Sequence, residues 1–226
     1  MNKKCYAIIV AGGSGERFGG DTPKQFCDIN GKPVLWYAAE PFLRLSFDVE
    51  IIIVLPAKYI EYWKELCHSE NIDFRHRVVQ GGITRFHSVK NALKFIDDQN
   101  SIVAVHDGVR PLITVEFLES LFINAEEKGA VIPVIKPADS MRSVEGSLSC
   151  NVDRSKFVFV QTPQIFLAEV LINAYRQAYL PEFTDDATVV QRAGNEIFLA
   201  EGLARNIKIT KHEDIEIAKS LISVSS

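Results

Sequence analysis

The chain lacks the usual marks of a secreted, membrane-spanning or nucleic-acid-coating protein. Its four cysteines, Cys5, Cys27, Cys67 and Cys150, are scattered without a C-x-x-C pair, which excludes a disulfide frame or thiolate zinc site and implies reduced thiols in a cytoplasmic setting. The five histidines, His68, His76, His87, His106 and His212, show no ligand spacing. No apolar run approaches the roughly 20 residues needed to span a bilayer. The basic start MNKK leads into an apolar run too brief for a signal peptide. A basic excess is also missing: the net charge is −4 over 226 residues, which argues against a surface that binds nucleic acid in bulk. Any phosphate site must therefore be a local cluster of cations.

What is present is a regular alternation of strand-like and helix-like segments in a chain that is 47% hydrophobic. Strands are expected at Tyr6 to Val10, Glu50 to Leu55, Arg77 to Gln80, Ser101 to Val105 and Ala130 to Ile135. Helices are expected at Val34 to Leu45, Ala57 to His68, Thr84 to Ile96 and Val115 to Lys128. EIIIVL has the β-branched continuity of a strand buried on both faces. Tyr59, Tyr62, Trp63 and Leu66 form a helical stripe assigned to the core. This order predicts an α/β fold, a three-layer and mainly parallel Rossmann-like sheet. Residues 136–160 are polar and rich in turns, an excursion suited to a β-hairpin arm that packs on a partner subunit. FVFVQ restores a strand; helices at Leu167 to Tyr179, Asp185 to Ala193 and His212 to Ile222 and strands at Ile197 to Ala200 and Ile207 to Ile209 complete the chain. With no repeat or linker, residues 1–226 are expected to form one domain.

Ligands of open α/β sheets bind where strands end at their carboxyl edge, so the residues just after strands carry the functional reading. The first such place is AIIVAGGSGERFGGDTPKQF, from Ala7 to Phe26. Gly12, Gly13 and Gly15 let backbone N–H groups approach an anion closely, and Arg17 and Lys24 add a donor fork and a mobile charge. By itself AGGSG also suits a plain strand-to-helix turn. The Walker Gly-Lys-Ser/Thr ending and the third glycine of the Rossmann fingerprint are absent. The second place is GGITRFHSV, with Gly82 and Ser88, which helix capping by Thr84 alone would also explain. The third is VHDGVRPL, where Asp107 could face a magnesium ion together with substrate phosphates, or simply cap a turn and pair with Arg110. The fourth is RNIKIT, whose Lys208 would be an ordinary solvated side chain but for its company.

GGSGERF followed by PKQF resembles the nucleotidylyltransferase family, which joins a nucleoside triphosphate to a sugar or polyol phosphate and releases pyrophosphate. AGGSGERFG, PKQF, GG-x-x-R-x-x-SV, HDGVRP, the Asp153-Arg154 pair, QTPQIF, TDDA and NIKIT together resemble the 2-C-methyl-D-erythritol 4-phosphate cytidylyltransferases of the non-mevalonate isoprenoid pathway, from Ala11 to Thr210. The resemblance implies CTP and a polyol phosphate as substrates, Mg²⁺ as cofactor, and a homodimer joined through the 136–160 arm. It implies that Arg17, Lys24 and Lys208 stabilise the transferring phosphate and that Asp107 helps to bind the metal. Ala11, Gly12, Gly13, Gly15, Gly82 and Ser88 would belong to the nucleotide site. Arg110, Ser140, Arg154 and Thr162 would surround the polyol phosphate, with Arg154 reaching in from the other subunit. The chain departs from the family pattern at Ser140, where threonine is usual, and at Ile83, where an acidic residue is common; Ile83 leaves base recognition to backbone groups.

A ribitol 5-phosphate cytidylyltransferase would share these motifs, whereas sugar 1-phosphate nucleotidylyltransferases lack QTPQ and NIKIT. A non-catalytic nucleotide-binding module would keep the loop without the full set of cations.

Overall fold

The computed structural model describes residues 1, 3–12 and 22–223. Its centre is a sheet of β1 (Cys5–Val10), β4 (Val49–Leu55), β5 (His76–Gln80), β6 (Ile102–Asp107), β7 (Ala130–Ile135), β10 (Phe159–Val160), β11 (Gln164–Leu167) and β12 (Phe198–Glu201). Outside it, β2 (Asp28–Ile29) and β3 (Lys32–Pro33) form one hairpin, and β8 (Met141–Glu145) and β9 (Leu148–Val152) form another. The helices are α1 (Val34–Leu43), α2 (Ile60–Ser69), α3 (Arg85–Leu93), α4 (Val115–Lys128), α5 (Ala168–Ala174), α6 (Asp186–Arg192) and α7 (His212–Ser223).

The strand order is β10-β7-β11-β6-β1-β4-β5, with β12 on β7. β5, β4, β1 and β6 run parallel. β11, of which the sequence pattern leaves Gln164 to Phe166 unassigned and gives Leu167 to a helix, inserts antiparallel between β6 and β7. β10 pairs with the other end of β7, and the register shifts across the Gln161–Pro163 segment that separates it from β11. Such a bulge re-aims side chains beside a site; here it carries the cis Thr162–Pro163 peptide.

The parallel strands are apolar on both faces because both are covered. Cys5, Ala7 and Ile9 of β1 face one core with Leu35, Ala38 and Phe42 of α1, Trp63 of α2 and Leu118, Leu121 and Phe122 of α4. Tyr6, Ile8 and Val10 face the opposite core with Phe86 and Val89 of α3, Leu171 of α5 and Val190 of α6. The three layers and the mainly parallel sheet follow.

Of the aromatic stripe, Trp63 is fully buried, Tyr59 and Leu66 are half-buried, and Tyr62 is exposed. All three rings contact Phe26, at centroid distances of 5.6 Å for Tyr59, 5.0 Å for Tyr62 and 6.2 Å for Trp63. The stripe thus serves the core and also anchors PKQF. Asn30 and Gly31 turn the β2–β3 hairpin with φ of 50° and 86°, as the residue pair requires. The β8–β9 hairpin stands as its own two-stranded sheet with Val144 and Leu148 exposed.

Candidate active site

The parallel register brings functional ends together. Val10 pairs with Val54 on one side and Asp107 on the other, so β1, β4 and β6 finish at one carboxyl edge. A cleft of about 340 Å³ opens there, lined by Ala11, Gly12, Lys24, Gly82, Ile83, Arg85, Ser88, Asp107 and Lys208 among others. Gln25 is buried and its Nε2 donates to the Ala11 carbonyl at 3.3 Å. With Gln25 and Phe26 both held, the short turn Lys24–Phe26 is fixed through its second and third residues, and Lys24 lies at the cleft.

Asp107 is 7% exposed and is met by three cations. Lys208 Nζ lies 2.9 Å from Oδ2, Arg110 Nε 3.5 Å from Oδ2, and Arg85 Nε 3.5 Å from Oδ1. Burial raises the pKa of the carboxyl, but the charges of Arg85, Lys208 and Arg110 outweigh it and hold the group well below the usual carboxylate range. Beneath it lies a polar chain. The Asp107 N–H donates to Thr162 Oγ1 at 3.0 Å, and Thr162 Oγ1 lies 3.0 Å from His106 Nδ1. His106 Nε2 lies 3.0 Å from the Arg110 carbonyl. A carbonyl only accepts, so Nε2 carries the proton and Nδ1 accepts from Thr162. Burial pushes this imidazole down to about 4, which keeps it neutral.

The second loop is built around Ser88, which is 2% exposed. Its Oγ accepts from the Gly82 N–H and donates to the Thr84 carbonyl, both at 3.0 Å. Thr84 also caps α3, as one reading of the sequence expects. Glycine is required nearby for space. A Cβ at Gly82 would stand 2.4 Å from His87 Cβ, and one at Gly12 would stand 3.3 Å from Ser88 Oγ.

A lysine at the rim, a buried carboxylate met by three cations, and a glycine-lined cleft suit a polyphosphate. The family model for 2-C-methyl-D-erythritol 4-phosphate cytidylyltransferase matches residues 5–223. The enzyme of that name from Bacteroides fragilis is 44% identical over 216 residues, covering 96% of this chain and 98% of the relative. The one from Phocaeicola vulgatus is 45% identical over 222 residues, covering 98% and 100%. The chain belongs to the 2-C-methyl-D-erythritol 4-phosphate cytidylyltransferase family. The crystal structure of the Francisella tularensis member superposes with a TM-score of 0.82 at 27% identity, covering 97% of this chain and 100% of that one.

Among the described residues, the structure brings most of the sequence-derived site residues to one cleft and leaves others apart. Ala11, Gly12, Lys24, Gly82, Ser88, Asp107 and Lys208 line it. Arg17, Gly13 and Gly15 lie outside the described residues. Thr162 and Arg110 support Asp107 from the wall: Arg110 Nη1 donates to the Asn206 carbonyl at 2.8 Å, and Thr162 is 6% exposed. Ser140 and Arg154 sit at the two ends of the hairpin segment and do not line the cleft; Arg154 Nη1 donates to the Ala138 carbonyl.

Lys208 lies in irregular chain rather than the expected strand. Its place is secured by the Ile209 N–H on the Val109 carbonyl at 2.9 Å and by buried Asn206, whose Nδ2 donates to the Thr162 carbonyl at 2.8 Å. Beyond Thr162, the sequence assigns the residues of QTPQ no role but recognition. In the structure it is a clamp. Gln161 exchanges hydrogen bonds with Leu203, Nε2 to its carbonyl at 2.8 Å and Oε1 from its N–H at 3.1 Å. Gln164 donates to Asp185 and accepts from the Ala187 N–H, both at 2.9 Å. Arg85, the arginine of GG-x-x-R, is not marked by the sequence, because its burial and its carboxylate partners are invisible in the motif.

Proposed function

We propose that the chain transfers CMP from CTP to 2-C-methyl-D-erythritol 4-phosphate, giving 4-diphosphocytidyl-2-C-methyl-D-erythritol and pyrophosphate for isoprenoid precursor synthesis. The observation that carries the reading is the convergence of Lys24, Lys208 and Asp107 on one cleft at the carboxyl edge, in a chain of this family. Ala11, Gly12, Gly82 and Ser88, with Gly13 and Gly15, hold the nucleotide. Arg17, Lys24 and Lys208 neutralise charge on the α-phosphate and the leaving group. Arg110, Thr162, Ser140 and Arg154 serve the polyol phosphate, the last two from a partner subunit in a cytoplasmic homodimer. The exposed hairpin, with Ser140 just before its first strand and Arg154 just after its second, supports that assignment.

The acceptor's phosphate oxygen attacks the α-phosphorus in line. A phosphate monoester is largely ionised at neutral pH, so no general base is needed. Rate then comes from positioning and from charges aimed at the developing anion. The chemistry of the donor set bears on magnesium. No group of three His, Cys, Asp or Glu side chains gathers among the described residues, and Asp107 is a single carboxylate. Mg²⁺ is commonly held by one or two carboxylates plus substrate phosphates, so Asp107 fits a metal that arrives on the triphosphate. When bound, the metal would supply Lewis-acid neutralisation of the phosphates.

Pyrophosphate release with Mg²⁺ and CTP tests the proposal, with 2-C-methyl-D-erythritol 4-phosphate and ribitol 5-phosphate offered in parallel. Turnover with the branched erythritol alone is expected; preference for ribitol phosphate would overturn the acceptor assignment, and silence with both would overturn catalysis.

A further inference from the structure

Asp186, the first residue of α6, is wholly buried behind Arg85. Arg85 Nη2 lies 2.7 Å from Asp186 Oδ2, a contact of charges whose angles fall short of a hydrogen bond, while Arg85 Nε stands 3.5 Å from Asp107 Oδ1. The arginine is therefore shared between two carboxylates and held more closely by the hidden one. Asp186 itself cannot follow if Arg85 moves. The Tyr175 hydroxyl donates to Asp186 Oδ1 at 2.6 Å, and Gln164 pins the same helical turn through Asp185 and the Ala187 N–H.

The charge count gives this arrangement a consequence. Without Asp186, the three cations Arg85, Arg110 and Lys208 would all be drawn to one carboxylate. A carboxylate so over-neutralised attracts a metal ion weakly. With Asp186 in place the charge of Arg85 is largely spent behind the cleft. Lys208, 44% exposed at its side chain, can leave Asp107 for a phosphate, whereas Arg85, 23% exposed and held from behind, stays.

We infer that Asp186 is a positioning residue that holds Arg85 back from Asp107 and so sets how strongly Asp107 draws the metal-bearing triphosphate. The inference rests on the reading of Asp107 as the carboxylate that faces the metal.

The test compares the affinity for CTP in manganese with that in EDTA, by calorimetry, so that the ratio isolates the metal's contribution without turnover. Asp186→Asn is expected to lower the ratio about tenfold, the order set by one unit charge several ångströms from a partly buried ion. Arg85→Gln is expected to raise it. The double variant should return to within about threefold of wild type, because the two effects have opposite sign and a shared cause. A merely structural pair would lower the melting temperature of both single variants and leave the ratio alone; that result overturns the inference, as does a shift of both ratios in the same direction. If Asp186→Asn fails to fold, Arg85→Gln alone decides: a raised ratio supports the inference, and an unchanged or lowered one overturns it. Asp107→Asn separates the two levels. If it leaves the ratio unchanged, the reading of Asp107 fails; if it lowers the ratio while Asp186→Asn does not, only the role of Asp186 fails.

Discussion

Replacing Ser88 with alanine probes the nucleotide loop at one atom. Oγ makes two hydrogen bonds, accepting from the Gly82 N–H and donating to the Thr84 carbonyl, each at 3.0 Å. Both groups keep alternatives when the oxygen is removed. Gly82 is exposed, so its N–H can turn to water, and the Thr84 carbonyl still accepts the Ser88 N–H at 3.0 Å. The stability loss should therefore sit near the cost of an ordinary hydrogen bond, ~1 kcal/mol, rather than that of a stranded buried donor. Binding should suffer more clearly. Ser88 ties Gly82 to the first turn of α3 and sets how closely Gly12 and Gly81 approach. Freeing that loop is expected to raise the KM for CTP about tenfold, equivalent to ~1.4 kcal/mol, with kcat falling less than about threefold, because the contact is made equally in ground and transition states. Steady-state kinetics and urea unfolding measure the two effects separately. An unchanged KM, or a fall in kcat at constant KM, would refute the assignment of this loop to nucleotide binding.

Other perturbations have equally definite outcomes. Gly82→Ala forces a Cβ to within 2.4 Å of His87 Cβ; CTP binding by calorimetry should weaken more than in Ser88→Ala, and equal or milder weakening would show that the loop yields freely. Lys24→Ala should lower kcat by roughly two to three orders of magnitude, the scale of one preorganised charge stabiliser, and a loss below about tenfold in steady-state kinetics would remove Lys24 from the catalytic group. His76 accepts the Trp63 indole N–H at Nε2, at 3.0 Å, and its other nitrogen faces the Phe74 carbonyl at 2.8 Å. Burial lowers its pKa against a smaller upward pull from that carbonyl. The folded state thus binds fewer protons than the unfolded one below the ordinary histidine pKa, so this contribution is present above about pH 6.5 and is lost as the pH falls toward the depressed folded pKa. Urea midpoints should decline from pH 7.5 to 5.5, and His76→Gln should flatten the decline; parallel curves would contradict the assignment.

The sequence made some elements plain because their signals are local. Val115–Lys128 and Ala130–Ile135 have the predicted bounds: Thr114 caps the helix, accepting the Phe117 N–H, and Gly129 ends it with φ of 85°. The excursion at 136–160 was legible from its want of apolar residues, and it is a hairpin. Elements defined by distant partners were not. QIFL is too short to announce a strand, and only β6 and β7 on its two sides make it one. The alternation in RNIKIT suggested a strand from Ile207 to Ile209, but the tie to neighbouring chain is the Ile209 N–H on the Val109 carbonyl, and side chains such as Asn206 hold the rest. The expected helix from Leu167 to Tyr179 is only Ala168–Ala174. In the site, strand ends marked Asp107 and the glycine turns marked Gly12 and Gly82, while Lys208 drew notice only through the company of those places. The pairing of Arg85 with Asp186 had no signal at all, because it depends on α3 and α6 lying together on one face of the sheet.

The most direct measurement follows the α-phosphorus itself. With CTP labelled at that position, Mg²⁺ and 2-C-methyl-D-erythritol 4-phosphate, the account predicts that the label passes to the erythritol product in equal amount to the pyrophosphate released, and that no label moves without the acceptor. Label recovered as free CMP, or retained in CTP while the acceptor is left unchanged, would contradict the claim that this cleft performs direct cytidylyl transfer.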